Sequence, residues 1–221
     1  MMKEYKKEFI AFLIEHNSLK FGEFKLKSGR MSPYFLNTGM LYSGEAVHRL
    51  GKFYAETIKD RVKEDFNVVF GPAYKGIPLA VSCASSLFSE FGMNKSYSFN
   101  RKESKDHGDA SGLIVGKQLE GSDRIVLIDD VITAGTAIKE TVAMLEQCNN
   151  PKIVSVVVSV DRMEKGAGEL SAIQELNQSL GINFYPIVNI KEIIEYLEEN
   201  KTVGTEMIGR MTEYRRTYGT D

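Results

Sequence analysis

The chain has 221 residues, of which 43% are hydrophobic and 26% are charged, with a formal net charge of -2 and a pI of about 6.0. This composition is typical of a globular domain and excludes a broadly basic surface for nucleic acid or anionic lipid. No apolar run approaches the roughly 18 residues of a membrane span. Two cysteines, Cys83 and Cys148, are too few for a structural zinc site and predict buried free thiols in a reducing compartment. We therefore expect a cytoplasmic protein with no nucleic-acid or membrane partner.

The amino-terminal region predicts one helix followed by an extended segment. Apolar residues such as Phe9 and Leu13 recur at the spacing of an amphipathic helix. Residues 24–38 then alternate apolar and polar side chains around Ser-Gly and Ser-Pro turn signals. We expect the first 40 or so residues to form a partial hood over the rest of the chain.

Strand and helix patterns alternate after this segment. Predicted strands cover 67–70, 94–100, 125–128, 153–160 and 183–188, and predicted helices cover 45–62, 77–91, 136–147, about 169–180 and two segments at the carboxyl end. This alternation predicts an α/β fold with a mainly parallel sheet flanked by helices. No internal repeat or low-complexity linker divides the chain, which predicts a single domain over 1–221.

Residues 101–123 differ from their surroundings. Their first half is densely charged, contains glycine and shows no periodicity, so the whole stretch is predicted to be a loop. Such long loops are uncommon inside compact domains and are usually functional or disordered. Composition alone would indicate only a solvated loop.

A strand followed by two acids and a Thr-Ala-Gly-Thr turn is the most informative segment. The apolar run 125–128 ends at Asp129 and Asp130, where ligands of open α/β sheets bind. Residues 133–136 bring hydroxyls, a glycine and the N–H groups of a helix start, which together can hold a phosphate. The carboxylates can accept hydrogen bonds from sugar hydroxyls or hold water on magnesium. The alternative is an Asp turn that merely caps the next helix.

This segment resembles the motif of the type I phosphoribosyltransferases that binds 5-phosphoribosyl 1-pyrophosphate (PRPP). The resemblance implies that the two acids contact the ribose hydroxyls and that 133–137 wraps the 5-phosphate. The implied PRPP-binding stretch is Asp129, Asp130, Val131, Ile132, Thr133, Ala134, Gly135, Thr136 and Ala137. Some regulators of the family keep this motif without catalysis.

Segments 20–35, 70–78 and 99–108 resemble the orotate phosphoribosyltransferase branch, so that the similarity spans nearly the whole chain. The resemblance implies a glycosyltransferase that converts orotate and PRPP to orotidine 5'-monophosphate and pyrophosphate in pyrimidine biosynthesis. Magnesium would arrive with PRPP, held mainly by substrate oxygens and water, because nothing in the sequence demands a protein ligand for it.

The resemblance also assigns residues outside the main motif. Taken alone, 71–76 predicts a plain turn with an exposed lysine, whereas the resemblance assigns Tyr74 and Lys75 to PRPP or its pyrophosphate. It places Lys27 near PRPP, with Phe35 and Leu36 against orotate. The chain departs from the family pattern at Leu36. The family pattern has a second aromatic residue at this position, which could stack on the base, whereas leucine cannot.

Arg162 follows the apolar strand 153–160 and could simply form a surface pair with Asp161. A guanidinium fork fits a carboxylate with two hydrogen bonds, and orotate carries a carboxylate. The resemblance favours orotate recognition by Arg162, helped by Thr133. Uracil would then leave a buried arginine unpaired.

The charged loop gains a sharper interpretation from the family. Cations that arrive as a loop closes can stabilise departing pyrophosphate and exclude water. The resemblance implies that Lys105 is the principal catalytic residue, that His107 joins it on the pyrophosphate, and that Arg101 and Lys102 also bind PRPP. It further implies a homodimer in which loop 101–112 completes the partner's site, with Lys102 serving its own.

Three alternatives remain at this point. Another phosphoribosyltransferase would take a purine or uracil as its base. Arg162 and Lys27 argue against this, because the resemblance assigns both to an enzyme that binds orotate. A regulator that senses PRPP would need a basic DNA-binding region, and none is present. A fusion with orotidylate decarboxylase would need a second catalytic domain, for which we expect no room.

Overall fold

A computed structural model of the chain describes residues 2–102, 112–132, 135–166 and 168–220. Its helices are α1 (Glu4–Glu15), α2 (Gly44–Arg61), α3 (Gly76–Phe91), α4 (Thr136–Gln147), α5 (Ala172–Leu180), α6 (Ile190–Glu199) and α7 (Thr205–Tyr218). Its strands are β1 (Leu19–Lys25), β2 (Met31–Leu36), β3 (Val68–Phe70), β4 (Ser96–Asn100), β5 (Ile114–Gly116), β6 (Arg124–Val131), β7 (Lys152–Asp161) and β8 (Asn183–Asn189). No helix in these ranges combines the length and the apolar character that crossing a membrane requires.

The central sheet has the strand order β5-β4-β3-β6-β7-β8, with every neighbouring pair parallel except β4 and β5. This confirms the predicted α/β fold. Helices cover both faces: α2 and α3 pack over the apolar cluster on one face, and α4 and α5 over the cluster on the other. Residues 154–160 of β7 are accordingly buried without alternation. The carboxyl ends of β3, β6 and β7 therefore open side by side at one edge.

Helix α2 is positioned by its cap and by one close contact. The Ser43 hydroxyl accepts a hydrogen bond from the Ala46 N–H and starts the helix. Gly51 allows α2 to approach α3, because a Cβ there would lie 2.7 Å from the backbone of Ser82. Phe53, on the same helix, packs its ring 5.1 Å from that of Phe9 on α1. The amino-terminal helix predicted from Phe9 is thus confirmed and belongs to the core.

The predicted extended segment is a two-stranded antiparallel sheet of its own, and its first strand begins earlier than expected, at Leu19. The turn between β1 and β2 is closed by the Leu26 N–H, which donates to the Arg30 carbonyl at 2.9 Å. Gly29 lies in this turn at φ +84°, a conformation that favours glycine. The hairpin is joined to α7 by an ion pair of 3.0 Å between Glu23 and Arg210.

The prediction that all of 101–123 is a loop is wrong at Ile114–Gly116, which forms β5 at the sheet edge. The pairing is antiparallel to β4, and Ile114 is buried. Three residues are too short to carry a readable period, so only the pairing defines the strand. Helix α5 begins at Ala172, later than predicted, because Ser171 and Gln174 form a capping box there.

The two thiols have different environments. Cys83 is fully buried within α3, as predicted. Cys148 lies beyond the last turn of α4 and is only partly buried, so the prediction of a buried thiol is wrong there. Both are free cysteines.

Candidate active site

Hydrogen bonds from two neighbouring elements hold the backbone of the two acids at the end of β6. The hydroxyl of Tyr54, from α2, donates to the Asp129 carbonyl at 2.7 Å. The hydroxyl of Ser159, from β7, donates to the Asp130 carbonyl at 2.6 Å. Because β6 runs parallel to β3 and β7, these acids lie beside the turn that follows β3 and the segment that follows β7.

The Asp130 carboxylate joins two other parts of the chain. Its Oδ2 accepts a hydrogen bond from Lys75 Nζ at 2.6 Å and another from Thr38 Oγ1 at 2.9 Å. The Lys75 side chain is 68% exposed, whereas that of Asp130 is 14% exposed. The structure thus brings together two residues predicted for the site and adds Thr38, which sequence reasoning missed. Thr38 begins a short 3-10 helix, Thr38–Met40, and no motif singles it out.

The carboxyl group of Asp129 has a raised pKa. Burial, and secondarily the negative charge of Asp130, raise the pKa of the Asp129 carboxyl to about 6. The Asp130 N–H opposes this shift by donating to Asp129 Oδ1 at 2.9 Å. The site therefore holds one carboxylate whose charge depends on pH within the physiological range.

The turn after β6 leads directly into α4. Gly135 precedes the helix at φ +73°, and a Cβ there would lie 2.9 Å from the Leu176 side chain, so both backbone and packing require glycine. Thr136 and Ala137 are exposed in the first turn of α4, where free N–H groups can bind an anion. Val131 and Ile132 are half-buried before the turn. Predicted ligands at 133–134 lie outside the described residues.

The turn after β3 is folded tightly and faces the same edge. A Cβ on Gly71 would lie 2.0 Å from the Gly76 carbonyl oxygen, so this fold requires glycine. The Ala73 N–H donates to Asn100 Oδ1 at 2.8 Å, which fixes the turn against the end of β4. Tyr74 is largely exposed, and Lys102 Nζ lies 5.7 Å from the centroid of its ring.

Of the residues predicted for the charged loop, only Arg101 and Lys102 are described. The Arg101 N–H donates to the Leu113 carbonyl at 2.6 Å. The Nη1 atom of the Arg101 side chain is buried and has no hydrogen-bond partner within the described ranges. Lys105 and His107 lie outside the described residues, and their roles stay predictions.

Arg162 is held by a buried network. Its Nε and Nη2 lie 2.8 Å and 2.5 Å from Glu164 Oε1, and Nη2 also donates to Ser32 Oγ at 3.2 Å. The guanidinium lies 4.3 Å from the centroid of the Tyr34 ring. Glu164, which sequence reasoning missed, also accepts from the Tyr34 hydroxyl at 3.2 Å and lies 3.6 Å from Arg30.

This network decides two questions about Arg162. Arg162 does not pair with Asp161, as the sequence had suggested, but with Glu164. The Asp161 carboxylate accepts a hydrogen bond from the Met163 N–H. The Nε and Nη2 donors are already occupied by Glu164 and Ser32, and the guanidinium also interacts with Tyr214. Because Ser32 and Tyr34 belong to β2, the network also holds the hairpin beside the end of β7.

The other residues predicted for orotate lie on or next to this hairpin. Phe35 is partly exposed on β2, and its ring stacks on Phe24 with centroids 5.5 Å apart. Leu36 is half-buried and packs against the main core instead of projecting freely. Lys27 is exposed in the turn of the hairpin, and no hydrogen bond joins it to the other site residues that the structure describes.

The donor set around the acids is sparse. Within the described ranges, no group of three or more histidine, cysteine, aspartate or glutamate side chains could hold a metal ion. Asp129 and Asp130 can accept hydrogen bonds or bind one side of a hydrated cation. This chemistry fits an ion whose remaining ligands come from a substrate and water.

Comparison with known proteins yields full-length relatives. The chain matches the family model of the phosphoribosyl transferase domain over residues 37–177. It is 46% identical over 223 residues to the orotate phosphoribosyltransferase of Clostridium beijerinckii, with 99% of each chain covered. It is 49% identical over 218 residues to that of Vibrio cholerae, covering 99% of this chain and 100% of the relative. The crystal structure of orotate phosphoribosyltransferase from Francisella tularensis has a TM-score of 0.85 and 39% identity, covering 96% of this chain and 100% of that one.

Proposed function

The chain belongs to the phosphoribosyltransferase family, in its orotate phosphoribosyltransferase branch, and we propose that it transfers the phosphoribosyl group of PRPP to orotate. The products are orotidine 5'-monophosphate and pyrophosphate, in pyrimidine biosynthesis within the cytoplasm. The observation that carries this proposal is the convergence of Lys75, Asp130 and Arg162 at the carboxyl ends of three neighbouring parallel strands. Each of the three suits one part of the two substrates: Lys75 the pyrophosphate, Asp130 the ribose hydroxyls and Arg162 the carboxylate of orotate.

PRPP would bind across the ends of β3 and β6. Asp129 and Asp130 are suited to accept hydrogen bonds from the ribose hydroxyls, and the N–H groups at the start of α4 to bind the 5-phosphate. Tyr74 and Lys75 would contact the pyrophosphate from the turn after β3. The exposure of Lys75 supports this role, since its ammonium group can turn from Asp130 towards a more highly charged partner.

Orotate would bind between β2 and the end of β7, with the first 40 or so residues as a hood in the single domain. Phe35 offers an exposed ring face for the pyrimidine, Leu36 lies beside it, and Lys27 approaches from the hairpin turn. Arg162 would receive the carboxylate, with Thr133 assisting. Since Glu164 and Ser32 hold Nε and Nη2, the guanidinium is already oriented, and Nη1 would donate to the carboxylate of orotate.

The reaction needs no covalent enzyme nucleophile. The bond from the ribose C1 to pyrophosphate would break largely before orotate N1 bonds to C1, through a transition state that resembles an oxocarbenium ion, and N1 would release its proton to solvent. Lys105 and His107, together with Arg101 and Lys102, would stabilise the negative charge that develops on pyrophosphate. Closure of their loop would exclude the water that could hydrolyse the sugar.

Magnesium would bind with PRPP and neutralise charge on its pyrophosphate. Asp129 and Asp130 would hold water of that ion or the ribose hydroxyls, in keeping with the sparse set of protein donors.

A homodimer would complete each site, and an apolar patch on α3 supports it. Val81 and Phe88 are exposed about two turns apart on this helix, with Phe88 61% exposed. Tyr97 pairs in register with Val69, which belongs to the core on the α3 side of the sheet, so its exposed ring extends the same patch. Because β4 ends at Asn100, an interface here would bring loop 101–112 towards the partner.

We expect the purified protein to consume orotate only when both PRPP and magnesium are present, with release of one pyrophosphate per orotate. Orotate absorbance and a coupled pyrophosphate assay measure this directly. Uracil and hypoxanthine serve as controls, and both should be consumed far more slowly than orotate. Turnover of another base without turnover of orotate would contradict the proposal, as would PRPP binding with no turnover of any base.

We expect two inactive variants to restore each other when mixed. Lys105→Ala would lack the loop function, and the double variant Arg162→Met with Glu164→Gln would lack the base site without leaving a buried unpaired carboxylate, so mixed dimers regain one complete site and roughly a quarter of wild-type activity. Activity after co-refolding, together with mass from light scattering, measures this. Adding Phe88→Glu to both variants should abolish the recovery and yield monomers. No recovery from a mixed dimer would show that the loop serves its own subunit.

A further inference from the structure

Thr38 lies where the amino-terminal segment meets the PRPP site. Its hydroxyl donates to Asp130 Oδ2 at 2.9 Å across 92 positions of the chain. The same oxygen accepts the ammonium group of Lys75 at 2.6 Å. Two donors from different segments therefore hold one carboxylate oxygen of the acid proposed to bind ribose.

The Thr38 hydroxyl is not needed by its own helix. The short helix that it begins is capped by Asn37, whose Oδ1 accepts the Gly39 N–H at 3.1 Å. The backbone carbonyl of Thr38, and not its side chain, accepts the Leu41 N–H. Within the described part of the chain, Asp130 is the hydrogen-bond partner of the hydroxyl.

Binding of PRPP would affect the two donors, Lys75 and Thr38, differently. The Lys75 side chain is exposed, and in the proposed function it turns towards pyrophosphate, which removes its hydrogen bond to Asp130. Thr38 follows Asn37, whose N–H donates to the Ser18 carbonyl at 2.8 Å beside the end of β2, and no competing partner for its hydroxyl lies in the described ranges. Thr38 would therefore be the donor that still restrains the carboxylate after PRPP binds.

We propose that Thr38 is a positioning residue that keeps the Asp130 carboxylate aimed at the ribose hydroxyls when PRPP draws Lys75 away. This inference rests on the proposed function. It assigns Thr38 a part in PRPP affinity, without contact with the reacting atoms. It also separates Thr38 from orotate recognition, which lies at Arg162 on the neighbouring strand end.

Isosteric and conservative substitutions test this role through PRPP binding. Thr38→Val keeps the shape but removes the donor, and we expect it to weaken calorimetric binding of magnesium-PRPP about tenfold, as for one hydrogen bond to a charged group. In turnover, the KM for PRPP should rise by a similar factor while the KM for orotate and kcat change less than about twofold. Thr38→Ser should restore PRPP binding to nearly the wild-type value, because it restores the donor.

Thr217→Val is the matched control, since it removes a threonine hydroxyl that donates to the Glu213 carbonyl on exposed α7. It should leave PRPP binding unchanged, and thermal unfolding will confirm that every variant is folded. PRPP affinity of Thr38→Val equal to the wild type would overturn the inference. So would a Thr38→Ser variant as weak as Thr38→Val. The binding comparison decides this even if orotate is not turned over, whereas failure of wild-type turnover with orotate overturns the proposed function alone.

Discussion

Replacing Arg162 by methionine is expected to lower kcat/KM for orotate about 10³-fold, because a substrate carboxylate would be desolvated without its cation. The guanidinium is almost buried and is already aligned by Glu164, Ser32 and the Tyr34 ring. The KM for PRPP should change little, since Asp129 and its neighbours are untouched. Preference for orotate over uracil should fall, which steady-state rates with both bases will measure.

The same substitution also disturbs folding, because it removes the closest cation from the buried Glu164 carboxylate and leaves it the Tyr34 hydroxyl at 3.2 Å and Arg30 at 3.6 Å. A double variant, Arg162→Met with Glu164→Gln, removes both charges and should recover much of the lost stability without recovering orotate turnover. Arg210→Met is the control, since Arg210 forms an exposed ion pair with Glu23 and such pairs contribute little. If it lost as much orotate turnover as Arg162→Met, recognition would not lie at Arg162.

Asp129→Asn is expected to strengthen the fold and weaken PRPP binding at the same time. The folded-state pKa of about 6 lies above the ordinary 3.8, so folding disfavours the ionised form. Free energy of unfolding is therefore lost as pH rises from about 4 to 6, and the full cost persists above that window. The neutral amide avoids a cost of at most about 3 kcal/mol at pH 7.5, with no gain below pH 4.

The affinity of the Asp129→Asn variant for PRPP should fall, whereas its stability should rise. Loss of a charged acceptor for the ribose should weaken magnesium-PRPP binding about 10²-fold at pH 7.5. Wild-type affinity should itself fall below pH 6 as Asp129 takes up a proton. Urea unfolding and calorimetric titration between pH 4 and 8 measure both effects, with exposed Glu195→Gln as the control. A stability gain independent of pH would mean that the Asp129 charge is not the cause.

The sequence predicted those parts of the fold whose signals are local. Residues 125–147 could be assigned from one apolar run, two acids, a glycine turn and a helical period, and the structure agrees over β6 and α4. Strand β5 escaped prediction because only its pairing with β4 defines it. Strand β2 was recognised as extended, but most of β1 lies before the predicted segment 24–38, and the separate two-stranded sheet escaped prediction for the same reason.

Within the candidate site, what escaped prediction depends on distance along the chain. Thr38 and Asp130 are 92 positions apart, and no spacing rule connects a threonine after one strand with an acid after another. Glu164 stood near Arg162 in sequence, but its importance comes from Tyr34 and Arg30, 130 or more positions away. Resemblance supplied the candidate residues, while the structure supplied the partners that orient them.

The antiparallel pairing of β4 and β5 has a consequence for how this enzyme can vary. Asn100 pairs with Ile114, and the Arg101 N–H donates to the Leu113 carbonyl, so the residues on either side of the proposed catalytic loop are anchored in the sheet. Doubling the length of such a closed segment costs only about 0.6 kcal/mol of chain entropy. Insertions and deletions between these anchors can therefore accumulate during evolution while the stability of the sheet remains almost unaffected.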